Sequence, residues 1–326
     1  MPYRFTKLWT PGNYQDGRKA LGYFEGWYYK AVDAAGRHPV AIIPGVSMPK
    51  GAPPVSFVQF IDSAGRTRFY EYPIDAFGFD KRRLDIRVGP NRFTEAGVSI
   101  DLDGPDGRVE GELSFSGWTP WPVTLLSPGI MGWYRFVPFM ECYHGVLSMD
   151  HGIQGSLVVD GAVLYFTGGR GYVEKDWGRS FPSEWVWMQT NHFQGRLGTS
   201  LTLSVARIPW MGSSFVGVIA GLLVDGRIFR FATYTGATLE HLRYQPGGVE
   251  VRLRDRHHVL DVSAEGAVPG TLRSPVLGEM AGEVLEALDG TVHVRLAERD
   301  GTVVFDGEGR RTGIELMDPH ERLATD

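Results

Sequence analysis

Apolar and polar positions alternate in short runs along most of this chain, and Asp-Gly and Gly-Arg pairs punctuate the runs. A period of two puts every second side chain on one face of an extended strand, so the pattern predicts strands joined by tight turns. The clearest runs cover 24–32 (FEGWYYKAV), 55–62 (VSFVQFID), 155–169, 200–208 (SLTLSVARI) and 290–307. Two of them enclose their own hairpin turn, at Asp160-Gly161 and at Asp300-Gly301. One segment reads as a short helix near the C-terminus, 274–288 (SPVLGEMAGEVLEAL), with Ser274 placed to cap it and Pro275 at its first position. Residues 118–142 (WTPWPVTLLSPGIMGWYRFVPFMEC) fit neither pattern. They are too rich in Pro and Gly for regular structure and too apolar for open water, which suits a crossover covering a core or the wall of an apolar ligand cavity.

Length and charge narrow the picture. A chain of 326 residues exceeds what one core usually supports, so two mainly β units are expected. The least forced boundary lies at the TGGRG stretch, which gives units of 1–168 and 169–326. The net charge is -5, and basic runs such as DKRR (80–83) and VRLRDRHH (251–258) are interleaved with acids or alternate along strands. That spacing makes solvated faces, not a phosphate-binding stripe, and argues against a nucleic-acid partner. The single cysteine, Cys142, excludes an intrachain disulfide and a multi-cysteine metal site, and points to a reducing, cytoplasmic setting. No signal-peptide core follows Met1, and the longest apolar run, 215–224, is too short to span a bilayer. Peripheral membrane association stays open.

The candidate chemistry concentrates in residues 171–193 (GYVEKDWGRSFPSEWVWMQTNHF). Strand alternation puts Tyr172, Glu174 and Asp176 on one face and Val173, Lys175 and Trp177 on the other. Two carboxylates so close in an apolar interior cannot both ionise cheaply, so one is expected to keep its proton and act as a general acid. The following run places Trp185, Trp187, Gln189 and Asn191 on one face, with His192 on the other. Near the chain start, Glu25, Trp27 and Tyr29 share a face by the same rule. A third group, 140–155, supplies Glu141, Cys142, His144, Asp150 and His151. A metal site from His144, His151 and a carboxylate matches no familiar ligand spacing, and a lone Cys beside a His is more often a small buried hydrophobe than a nucleophile. The structural alternative for all these groups is ion pairs capping a barrel around an aromatic core.

The stretches FEGWYYK, SPGIMGWYRFVPFMECYHGVLSMDH, GRGYVEKDWGRSFPSEWVWMQTNHF and GRRTGIELM together resemble the tocopherol cyclase family, over residues 24 to 317. The DWG and WVWMQ pair is more distantly similar to the junction of carotenoid hydratases and hydroxyneurosporene synthase-like proteins, whose fold is two lipocalin-like antiparallel β-barrels side by side. Trp27 near the chain start is also similar to the lipocalin Gly-x-Trp strand, although Gly26 directly precedes it here. The resemblance implies a cofactor-free intramolecular lyase that protonates the prenyl double bond of a prenylated hydroquinone and lets the phenol oxygen capture the cation. It implies Asp176 or Glu174 as the acid, with Glu25 as a further catalytic carboxyl and His144 or His192 accepting the phenol proton. Trp27, Tyr29, Glu141, Tyr172, Trp177, Trp185, Trp187 and Gln189 would contact a hydrophobic substrate. The competing expectation is a lipocalin-like carrier of an isoprenoid or lipid, in which the charged groups are structural.

Overall fold

A computed structural model describes residues 7–15, 22–138, 140–266 and 269–325. The expected alternation becomes strand almost throughout, in two antiparallel sheets, so the chain is mainly β and lipocalin-like. Among the described residues, no helix is long and apolar enough to cross a membrane.

The first sheet runs Thr67–Pro73, Val55–Asp62, Val40–Met48, Tyr23–Val32, Gly169–Gly178, Cys142–Val159, Gly107–Ser116, Gly97–Gly104, Asn91–Thr94, Asp85–Val88, Phe77–Phe79. It curls on itself: the Tyr70 hydroxyl donates to the Gly107 carbonyl at 3.0 Å, and the Asn91 amide donates to the Tyr72 hydroxyl at 3.2 Å. One core forms inside it, with Tyr14, Trp27, Val58, Phe60, Ile86, Phe93, Val173 and Trp177 among its members. The second sheet runs Arg227–Ala232, Ser213–Val224, Ser200–Trp210, Trp185–Thr190, Val303–Met317, Glu279–Glu298, His258–Glu265, Gly248–Arg254, Thr238–Gln245. Its core joins residues from both ends of that order, such as Phe231 and Leu242, as only a curled sheet permits. The turn expected at Asp160-Gly161 is present, with both residues at positive φ (50° and 84°), as a two-residue hairpin of this kind requires.

Two expectations are corrected. Residues 274–288 are not helical: Gly270–Val276 and Glu279–Glu298 are strands, and Leu277-Gly278 turns between them at φ 51° and 83°. Helix propensity was outweighed by pairing, because Glu286 and Ala287 lie in register with Glu315 and Ile314 of Val303–Met317. The boundary at 168/169 also moves. The strand Gly169–Gly178 lies at the centre of the first sheet, and the compact units are 1–62, 66–181 and 271–283 for the first, with 63–65, 182–270 and 284–326 for the second. What reads as a glycine linker is a close approach: a Cβ on Gly169 would lie 2.2 Å from the Val32 carbonyl oxygen.

Candidate active site

The strand Gly169–Gly178 is paired on both edges, with Tyr23–Val32 on one side and Cys142–Val159 on the other. Its two faces therefore carry two separate polar clusters, split as alternation predicts.

On the core face, Lys175 and Glu25 are fully buried and 2.5 Å apart. The Tyr23 hydroxyl donates to Glu25 at 2.5 Å, and the Gln15 amide donates to it at 2.8 Å. Lys175 also donates to the Pro11 and Asn13 carbonyls, at 2.9 and 2.6 Å, and its ammonium lies 4.6 Å from the Trp27 ring centre and 4.9 Å from that of Trp177. Burial pulls the Lys175 ammonium down to about 8 although Glu25 works to hold it up, and burial raises the Glu25 carboxyl against the pull of Lys175. Arg135 lies over Trp177 as well, 4.7 Å from its ring centre, and donates to the Gln15 side chain at 2.6 Å. This network ties the segment 7–15 into the first core. Glu25, Trp27 and Tyr29, which alternation gave one face, lie on this core face with Trp177, opposite Glu174 and Asp176.

The other face brings together His144, Glu174, Asp176 and Tyr172. His144 lies in register with Asp176, and Val146 with Glu174, which sets the ring between the two carboxylates. Its Nδ1 lies 2.9 Å from Asp176 Oδ1 and its Nε2 lies 3.7 Å from Glu174 Oε2. The Tyr172 hydroxyl donates to Glu174 at 2.6 Å, and the His144 backbone amide donates to Met131 Sδ at 3.1 Å. Burial works to strip the ring of its proton, but the Asp176 and Glu174 carboxylates more than offset it and hold the ring's pKa at about 9. The ring therefore favours its protonated form at neutral pH, with an acidic side chain beside each nitrogen. Cys142 Sγ lies 3.9 Å from Asp176, and burial pushes its thiol well up, so it is no thiolate nucleophile.

His144, Glu174 and Asp176 also offer ligand atoms within 4.8 Å of one another, so these three could hold a divalent cation, which would compete with the ring proton. His151 takes no part in such a set. Its ring is stacked on Trp118 and packed against Phe115, its Nδ1 meets Ser148 at 3.0 Å, and burial lowers it to about 3. Glu141 precedes the strand, its carboxyl raised by burial and only partly offset by Arg179.

The remaining candidates belong to the second unit. Trp185 donates to Glu315 at 2.6 Å, Trp187 lies in register with Glu315, and Gln189 is buried opposite Gly313. They share the face of Trp185–Thr190 that turns away from the second core, where Val186 and Met188 point. His192 sits in a short strand with its Nδ1 2.9 Å from Asn191 Oδ1. Sequence reasoning missed Glu286, paired with Glu315, because it lay in the expected helix. It also missed Tyr28, in register with Glu174, and Met131, for which no spacing signal existed.

Comparison with known proteins agrees with this geometry in fold and in family. Similarity to solved structures extends over most of the chain: CghA (TM-score 0.56, 13% identity, 91% of this chain and 88% of that one) and kievitone hydratase from Nectria haematococca (0.50, 10%, 90% and 88%). Among curated proteins, the chloroplastic tocopherol cyclase of Zea mays is 28% identical over 198 residues, 57% of this chain and 41% of that one. The chloroplastic "probable tocopherol cyclase" of Oryza sativa subsp. japonica is 29% identical over 161 residues, 48% of this chain and 34% of that one. The matched regions span well under half the length of those two relatives. The family model described as tocopherol cyclase-like matches residues 115–317, which include His144, Glu174 and Asp176, and the chain therefore belongs to the tocopherol cyclase-like family.

Proposed function

We propose that this protein is an acid-catalysed cyclase that closes a prenylated hydroquinone into a chromanol. The observation that carries the reading is the His144 ring held between Asp176 and Glu174. The ring proton at Nε2 passes to the less substituted alkene carbon, so a C–H bond forms as the π bond breaks and the neighbouring tertiary carbon becomes cationic. Loss of that proton leaves a neutral imidazole and two carboxylates, so the cluster becomes more negative as the positive charge develops on the substrate. The phenol oxygen then forms the C–O bond, and its proton returns to the cluster. No electrons are exchanged with any other reactant. Asp176 fixes the ring through Nδ1, and Tyr172 holds the Glu174 carboxyl group. The role of Glu141 in gripping the substrate belongs to the same proposal.

A second reading, hydration of the same cation, is favoured by one observation. The His144 and Asp176 side chains keep 17% and 24% of their surface exposed, so water reaches the cluster. The test separates the two. Purified protein is incubated with prenylated hydroquinones in deuterated water, and the products are separated and weighed. A chromanol with one deuterium bound to the former alkene carbon is expected, and His144→Gln lowers its rate by about 10²- to 10⁴-fold. A hydrated, uncyclised product assigns water capture. Tight binding without any product assigns a carrier.

A further inference from the structure

The apolar segment between Gly117 and Cys142 is not consumed by the site. Val123 and Pro128 form an isolated β-bridge, and Thr124 and Ser127 close the turn between them with a backbone hydrogen bond of 2.9 Å. Leu125 and Leu126 therefore stand at the tip of a fixed turn, 75% and 78% exposed. The patch continues sideways: the Trp9 indole donates to the Leu125 carbonyl at 3.2 Å, and its ring meets Phe136 edge-on at 5.9 Å. Trp133 and Val123 are also exposed. From Gly117 to Met140 the sequence contains no acid, and its one cation, Arg135, is buried. A projecting, charge-free, apolar tip flanked by tryptophans is costly in water. It matches the layering of a bilayer surface, with aliphatic side chains at acyl depth and indoles at the headgroup level.

The same segment reaches the site. Three residues beyond the turn, Ile130 and Met131 are buried, Met131 Sδ accepts from the His144 amide at 3.1 Å, and the Tyr143 hydroxyl donates to the Val137 carbonyl at 2.8 Å. We infer that Leu125, Leu126, Trp133, Phe136 and Trp9 form a docking surface that dips into an uncharged lipid bilayer and places the His144 cluster beside the membrane that dissolves its substrate. This deepens the cyclase reading and rests on it for the substrate's hydrocarbon tail. A protein partner is disfavoured by the shape and chemistry of the patch, because a convex tip lacking charged groups supplies no polar rim.

The test is sedimentation of the full chain with phosphatidylcholine vesicles, without substrate. The wild-type protein is expected to sediment with them, and Leu125→Ser/Leu126→Ser is expected to weaken partitioning by about tenfold or more. Leu197→Ser, which removes an equally exposed leucine from the second unit, is expected to leave it unchanged. Quenching of tryptophan fluorescence by brominated acyl chains provides a reading that needs no variant. Absence of vesicle binding by the wild type, or equal binding by the double variant, overturns the inference. So does self-association in place of vesicle binding that the double variant abolishes, since the occupant is then protein. Turnover of a short-tailed quinol in solution is measured alongside. If the double variant loses vesicle binding and neither protein turns over the soluble quinol, docking stands and the cyclase reading fails.

Discussion

His144 keeps its proton because the carboxylates on both sides outweigh its burial, and that balance has a sign that can be tested. The ring is raised from an ordinary value near 6.5 to about 9, so the folded state binds its proton more tightly than the unfolded chain does. Its contribution to stability is present in full below about 6.5 and is lost as pH rises through about 9. Denaturant titrations of wild type and His144→Gln are therefore expected to differ at pH 6 and to converge above pH 9. Product formation, if it uses that proton, falls over the same upper range. The core-face pair behaves otherwise. Lys175→Met leaves Glu25 buried beside a missing cation and is expected to cost about 3–5 kcal/mol in urea unfolding, whereas Glu25→Gln with Lys175→Met recovers most of it. The alternation that separates these two clusters was legible in the sequence. Which face was core was not, because the strand Gly169–Gly178 is largely buried on both sides and its pattern offers no contrast.

The hairpin formed by Gly270–Val276 and Glu279–Glu298 is the element that sequence reading missed, and its turn explains why. Leu277 occupies a left-handed position at φ 51° that a leucine fills only under constraint, so the Leu-Gly pair carries little of the Asn-Gly signature that marks such turns. The constraint is visible: the Leu277 amide donates to Ser180 Oγ at 2.8 Å, Gly278 donates to the Arg179 carbonyl at 2.7 Å, and the Ser47 hydroxyl donates to the Gly278 carbonyl at 2.7 Å. Leu277→Asn keeps those backbone bonds and eases the conformation. It is expected to raise stability by about 0.5–1 kcal/mol in equilibrium unfolding, an outcome that a helix over these residues would reverse. The Asp160-Gly161 hairpin, by contrast, was legible because both of its residues suit positive φ.

Two mainly β units were legible from length and alternation, but their limits were not, because alternation says that a strand pairs without saying with which partner. A chain ending at residue 168 would lack the strand that joins Tyr23–Val32 to Cys142–Val159. It is expected to give no dispersed amide spectrum, while the intact chain does. The same interleaving has a consequence for biosynthesis. When Tyr23–Val32 leaves the ribosome, the strand that will pair with its far edge has not been made, and translation at ~5–20 residues per second delays it by roughly seven to thirty seconds. Segment 271–283, also part of the first unit, follows later still. Until then the nascent hairpins carry an open edge and an unshielded apolar face, so the first half of this protein is open to edge-to-edge pairing for longer than its own length suggests.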